Sequence, residues 1–343
     1  MEQKNMIKRS EYNNLDSAYA TVLFIILQSL FLVLYRALPE SFRAIPIVFI
    51  FASFGIELVF ALTGLTVAGT RNVDFAKASK LDKKINIPVV LMCFLIAFLS
   101  IYGFSSFSNY FLMLLKSVGY TESLSNIEIT TFPMYLLYLG IIGLAPAVFE
   151  EICFRGTICA GLKKQNKHLA VWLSAIIFML MHGGPEQTIH QFILGVIFGY
   201  IFIYTENLWI TILIHFFNNA IAVTAMYASY LINGPETASE EIVQLPLASW
   251  IMNIMFSLIM AVGAAVLIYF LVKAIKNQLT KISNNKTNEI DGQAENEDVE
   301  LATANGNTKV KESNGAISII LFIVGISYLV LEWIAALMAG FGM

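Results

Sequence analysis

Nine apolar stretches, most of them near 20 residues long, set the terms on which this chain can fold: 19–38, 45–69, 87–104, 132–161, 168–183, 188–204, 207–231, 248–273 and 316–340. Coiled as an α-helix, about 20 apolar residues match a hydrocarbon core of roughly 30 Å. Lipid offers no water to backbone N–H and C=O groups, and a helix satisfies them within its own segment. The pattern therefore predicts an all-α, polytopic membrane bundle of eight or nine transmembrane helices. Composition agrees: 57% of the 343 residues are hydrophobic and 13% are charged, against about 25% charged in soluble domains. Segments 168–183 and 188–204 are short for a full crossing and imply a water-admitting interior or a locally thinned bilayer. Residues 105–118 ("SFSNYFLMLLKSVG") extend the third helix or lie along the interface.

Lysine and arginine placement orients the bundle. The N-terminal tail, loop 70–87, loop 162–167 and stretch 273–315 hold 17 of the 21 Lys and Arg residues, and the alternate loops hold only Arg36, Arg43 and Lys116, with Arg155 set aside. The N-terminus is expected in the cytoplasm and the C-terminus outside, the plasma membrane being the expected location. The leader before the first apolar run carries Lys4, Lys8 and Arg9 and no A-x-A site follows, so that run reads as an uncleaved anchor. Cys93, Cys153 and Cys159 all fall in apolar segments without a CxxC pair and read as buried thiols. The net charge of −3 gives no footing to nucleic-acid binding.

The organisation read from these signals is a cytoplasmic tail (1–18), N-terminal transmembrane helices (19–131), a core (132–225), an outside loop and core helix (226–276), a flexible cytoplasmic linker (277–315) and an additional transmembrane helix (316–343). The linker assignment rests on an Asn- and Glu-rich composition without apolar period.

Within the core, "AVFEEICFRGTI" (147–158) places three charged residues in an apolar helix. Each costs about 2.5–3.5 kcal/mol at the bilayer centre on insertion scales, so compensation is required. Glu151 and Arg155 are four apart and share a helix face, while Glu150 points about 100° away. Pro146 lacks an N–H and kinks the helix just before them. Two further clusters follow: Phe178 with His182, closed by Gly183 and Gly184, and His215 with Asn219 on one face of a later helix. At 1.5 Å per residue, Glu150, His182 and His215 lie about 16, 21 and 12 Å from the cytoplasmic ends of their helices, compatible with one site.

The series E-E-x-x-x-R, F-x-x-x-H and H-x-x-x-N, each on its own membrane helix, resembles the CPBP (CAAX-processing and bacteriocin-processing, or Abi) intramembrane proteases. Here it reads Glu150-Glu151…Arg155, Phe178…His182 and His215…Asn219. The resemblance covers about residues 132–225, and Glu206 stands where family members often carry glycine. It implies an endopeptidase acting on a membrane-associated peptide or protein, of CAAX type or bacteriocin and signal-peptide type. Glu150 is then the general base, His182 helps to hold and polarise the water, and His215 and Asn219 stabilise the oxyanion. Glu151, Arg155 and Phe178 support them.

Catalysis without a metal or cofactor is favoured. A His₂Glu zinc site from His182, His215 and Glu150 is the alternative. A different class, a non-enzymatic carrier or immunity scaffold, also accommodates the cluster. Glu57 and Glu332 have no partner by spacing and read as incidental, and Gly195 and Gly199 read as a close-packing G-x-x-x-G.

Overall fold

The computed structural model describes residues 8–43, 45–121, 129–234, 247–291 and 315–342. Among them are nine long helices: α1 (Asn14–Arg36), α2 (Pro46–Thr70), α3 (Ile87–Ser117), α4 (Phe132–Leu162), α5 (Lys167–Met181), α6 (Thr188–Thr205), α7 (Leu208–Asn233), α8 (Leu247–Asp291) and α9 (Gly315–Gly340). All except α5 are long and apolar enough to cross a membrane. The chain is an integral membrane helical bundle. Side chains such as Val33, Phe51, Leu91, Ile259 and Ile319 are more than half exposed, as lipid-facing surfaces require.

Local chemistry marks the two ends of the bundle. Helices α1, α3, α5 and α7 each begin under an asparagine, Asn13, Asn86, Asn166 and Asn207, whose side chain accepts an N–H of the first turn. These starts share one end with the lysines. There Arg9 N–H donates to the Asn72 carbonyl at 3.0 Å, Trp209 Nε1 donates to the Leu81 carbonyl at 2.9 Å, and Lys163 reaches Glu206 at 2.8 Å. Asp16, fully buried, takes Arg9 at 2.9 Å and Arg71 at 2.8 Å. Helices α2 and α4 start at the opposite end, each with proline in its first turn, where the missing N–H costs nothing.

The core centres on rings from α1, α2, α4 and α5. Phe154 packs against Phe24, Phe60 and Phe178 with centroids 5.7, 5.6 and 5.2 Å away. Close crossings use the small residues: a Cβ on Gly195 would lie 3.0 Å from Ala175 Cα, and one on Gly103 would lie 2.8 Å from Ala261 N.

Residues 105–117 continue α3 as helix, the first of the two readings of that stretch. One boundary differs from expectation: α8 runs on to Asp291, so the first part of the stretch read as a linker is helical; residues 292–314 lie outside the described residues, as do residues 235–246 of the stretch read as an outside loop. Helix α9 packs on α1 in parallel: Gly325 faces Thr21 and Ile25, and Ser29 Oγ meets Tyr328 OH at 2.8 Å. At its far end the Gly340 carbonyl accepts Thr121 N–H at 2.8 Å.

Candidate active site

Helix α4 departs from α-geometry twice, through π-helical turns at Leu139–Leu144 and Phe154–Cys159. Such turns widen a helix and recur at functional sites. The acidic pair sits on the α-helical piece between them, Ala145–Cys153. Pro146 cannot supply the N–H that the Ile142 carbonyl would take in an α-helix, and Asn219 Nδ2 of α7 donates to that carbonyl at 3.0 Å. Asn219 is thereby tied to the turn ahead of Pro146, with its neighbour Asn218 donating to its Oδ1 at 3.2 Å.

Glu151 and Arg155 are both completely buried and meet at 2.7 Å. The guanidinium lies 4.3 Å from the Phe178 ring centroid and 5.1 Å from that of Phe198, and its Nη2 donates to the Gly195 carbonyl at 3.3 Å. Stacking against two rings suits a planar, weakly hydrated cation. Phe178 thus packs the arginine and also lies 4.8 Å, ring to ring, from His182.

His215 stands between the two carboxylates. Its Nδ1 lies 3.1 Å from Glu151 Oε1, and its Nε2 lies 3.9 Å from Glu150 Oε2. Glu151, ionised beside Arg155, only accepts, so Nδ1 carries the proton. In neutral His215 the Nε2 lone pair then faces Glu150; in the imidazolium an N–H does. His182 Nδ1 lies 2.8 Å from the Phe178 carbonyl, which fixes its proton there by the same argument and leaves Nε2 as an acceptor.

Glu150 is 4% exposed, and its Oε2 is buried without a hydrogen-bond partner. Together with His182 it lines a cavity of about 420 Å³. Glu150, Glu151, Arg155, Phe178, His182 and His215 come together on α4, α5 and α7. Asn219 joins the group through its bond to Ile142.

The same cavity holds residues that spacing along the chain passes over. Glu57 of α2, Arg36 of α1, and Tyr328 and Glu332 of α9 all line it. Glu57 Oε2 is buried and unpaired. A carboxylate at the middle of an apolar run is the one signal that singles it out; nothing in the sequence says which helix it faces. Phe198, whose ring centroid is 5.3 Å from that of His215, carries no signal beyond its hydrophobicity.

Zinc at a His₂Glu site needs three side chains converging at about 2.0–2.2 Å. Among the described residues no three or more His, Cys, Asp and Glu form such a group; His215, with Nδ1 held by Glu151, has only Nε2 to offer, 3.9 Å from Glu150 Oε2. As arranged, the three side chains do not converge on a metal position.

Residues 132–221 match the family described as type II CAAX prenyl endopeptidase Rce1-like. The match covers α4, α5, α6 and the first half of α7. No curated protein and no solved structure matches the chain.

Proposed function

We propose that residues 132–221, which match the Rce1-like family model, work as an intramembrane protease domain of CPBP type, and that the chain hydrolyses peptide bonds of a membrane-associated peptide or protein, with Glu150 as general base. The observation that carries this reading is the split between two adjacent carboxylates. Glu151 is bound by Arg155 at 2.7 Å, whereas Glu150 has an unpaired oxygen and lines the cavity with His182. Two identical groups in different surroundings take different roles.

In the reaction, water bound between Glu150 and His182 Nε2 gives a proton to the Glu150 carboxylate as its oxygen attacks the carbonyl carbon. The resulting oxyanion accepts hydrogen bonds from His215 Nε2–H and an Asn219 amide N–H. Collapse breaks the C–N bond, and the leaving nitrogen takes the proton from Glu150. His215 donates through Nε2 only as the imidazolium. Glu151, 3.1 Å from Nδ1, holds the ring in place, as a carboxylate does in a catalytic triad. Preorganised donors of this kind contribute about 2.7–4 kcal/mol each.

In the proposed orientation, supported by the positive-inside rule, the lysine-bearing end and the N-terminus are cytoplasmic and the C-terminus is outside; the plasma membrane is the proposed location.

The test is Glu150→Gln in the full-length protein, read by peptidomics of membranes with and without the variant. Cleavage products are expected to vanish while expression and thermal unfolding in detergent stay at wild-type level. Products that persist would remove Glu150 as the base. Cleavage is expected to withstand chelation, and one zinc per chain in active protein would overturn the metal-free mechanism. Proton-coupled transport by purified protein that cleaves nothing would establish a carrier instead.

A further inference from the structure

The cavity has a direction. Ile25, Gln28, Ser29, Leu32 and Arg36 come from the C-terminal part of α1, Leu180–Gly183 from the C-terminal end of α5, and Tyr328, Leu329, Glu332 and Ala336 from the C-terminal half of α9. Helices α1 and α5 begin at the lysine-bearing end and α9 runs parallel to α1, so these parts lie toward the other end. The deep wall is Glu150, 4% exposed, and the rim is Arg36, Tyr328 and Glu332, all exposed.

Toward the lysines the acid is sealed. Phe154, Arg155, Phe178, Phe198 and Phe202 are each 0% exposed. Phe154 and Arg155 follow Glu150 on α4, Phe198 and Phe202 lie in the lysine-side half of α6, and Phe178 stands one turn before His182 on α5, packed against Phe154. With Arg155 held against the rings of Phe178 and Phe198, this layer is close-packed and leaves no width for a peptide.

We propose that the site takes its substrate from the membrane face opposite the lysines, as an exported or surface-exposed peptide segment entering past Arg36, Tyr328 and Glu332. This deepens the hydrolase reading and rests on it and on the orientation given with it. Ile25 to Arg36 spans about 16 Å of helix, the length of about five extended residues. A peptide bond at Glu150 therefore belongs to a segment that reaches the outer face about five residues away, with a cation and a carboxylate at the mouth to meet its polar groups. Segments confined to the cytoplasmic face have no such route.

The experiment uses the full-length protein in right-side-out and inverted membrane vesicles, with Arg36→Cys and Lys164→Cys labelled by a membrane-impermeant polyethylene-glycol maleimide. Cys93, Cys153 and Cys159 are buried and give the silent background. Arg36→Cys is expected to react only in right-side-out vesicles and Lys164→Cys only in inverted ones. The adduct at Arg36→Cys is expected to lower cleavage of Glu150-dependent peptides at least tenfold, and the adduct at Lys164→Cys to leave it unchanged. Those peptides should map to exported segments. Labelling of Arg36→Cys from the same side as Lys164→Cys, cleavage indifferent to the Arg36→Cys adduct, or Glu150-dependent peptides from cytoplasmic segments would each overturn the route. If no peptide depends on Glu150 while labelling follows the expected sides, the hydrolase reading and its substrate fall, and the direction of the cavity stands.

Discussion

Arg155 illustrates what a single residue contributes when lipid and protein leave no water around it. Its charge is offset by Glu151, by two aromatic faces and by the Gly195 carbonyl. Removing it with Arg155→Met strands a buried carboxylate, and breaking such a pair costs about 3–5 kcal/mol. The double variant Glu151→Gln/Arg155→Met removes both charges and is expected to recover a large part of that loss, as thermal unfolding in detergent will show. The pair is legible in sequence because four residues along one helix bring its members to one face. Glu57 and Glu332 are different: each reaches the cavity from a helix far away in the chain, and no local period connects α2 or α9 to Glu150. The bonds of Asn219 and His182 to main-chain carbonyls are hidden for a related reason, since carbonyls are present at every position of a sequence.

At the scale of elements, hydropathy locates the spans well but not where helices stop. Residues 105–117 and 277–291 remain helical after the apolar run weakens, because backbone hydrogen bonding continues once a helix is under way. The end of α6 is legible for another reason. Glu206 stands at a glycine-like position, and its backbone is left-handed, φ 47° and ψ 43°. A non-glycine residue there is disfavoured by about 1–2 kcal/mol, while its ion pairs to Lys163 at 2.8 Å and Lys80 at 3.9 Å are half exposed and contribute no more than about 1 kcal/mol each. Glu206→Gly is therefore expected to change stability by less than about 1 kcal/mol, measured by unfolding in detergent. Gly103→Val is expected to do more. Its new side chain would meet the Ala261 backbone, which cannot move aside as a side chain can. Overpacking of this kind costs about 1–3 kcal/mol, and separation of α3 from α8 would appear as faster proteolysis of α8.

Across the whole molecule, the lysines and the four asparagine caps mark the same end, so charge distribution and helix starts agree on how the chain is threaded. The segment 132–221 that matches the Rce1-like family holds Glu150, His182, His215 and Asn219, whereas most of the cavity wall comes from α1, α2 and α9. Deleting residues 315–343 is expected to leave membrane insertion intact and to abolish cleavage, with immunoblotting of the membrane fraction and peptidomics as the two readouts. Activity retained at wild-type level would show that the last helix is dispensable to the site.

That parallel seating of α9 against α1 separates the proposed catalytic groups from the rim through which they are reached. On the proposed function the reacting groups sit in the segment that matches the Rce1-like family model, and the doorway is built from helices outside it. On that reading, substitutions at Tyr328, Glu332 or Arg36 are expected to alter which chains are admitted while leaving Glu150 and His182 in place. The proposed function then predicts that the threshold can be remodelled for new clients while the blade stays as it is.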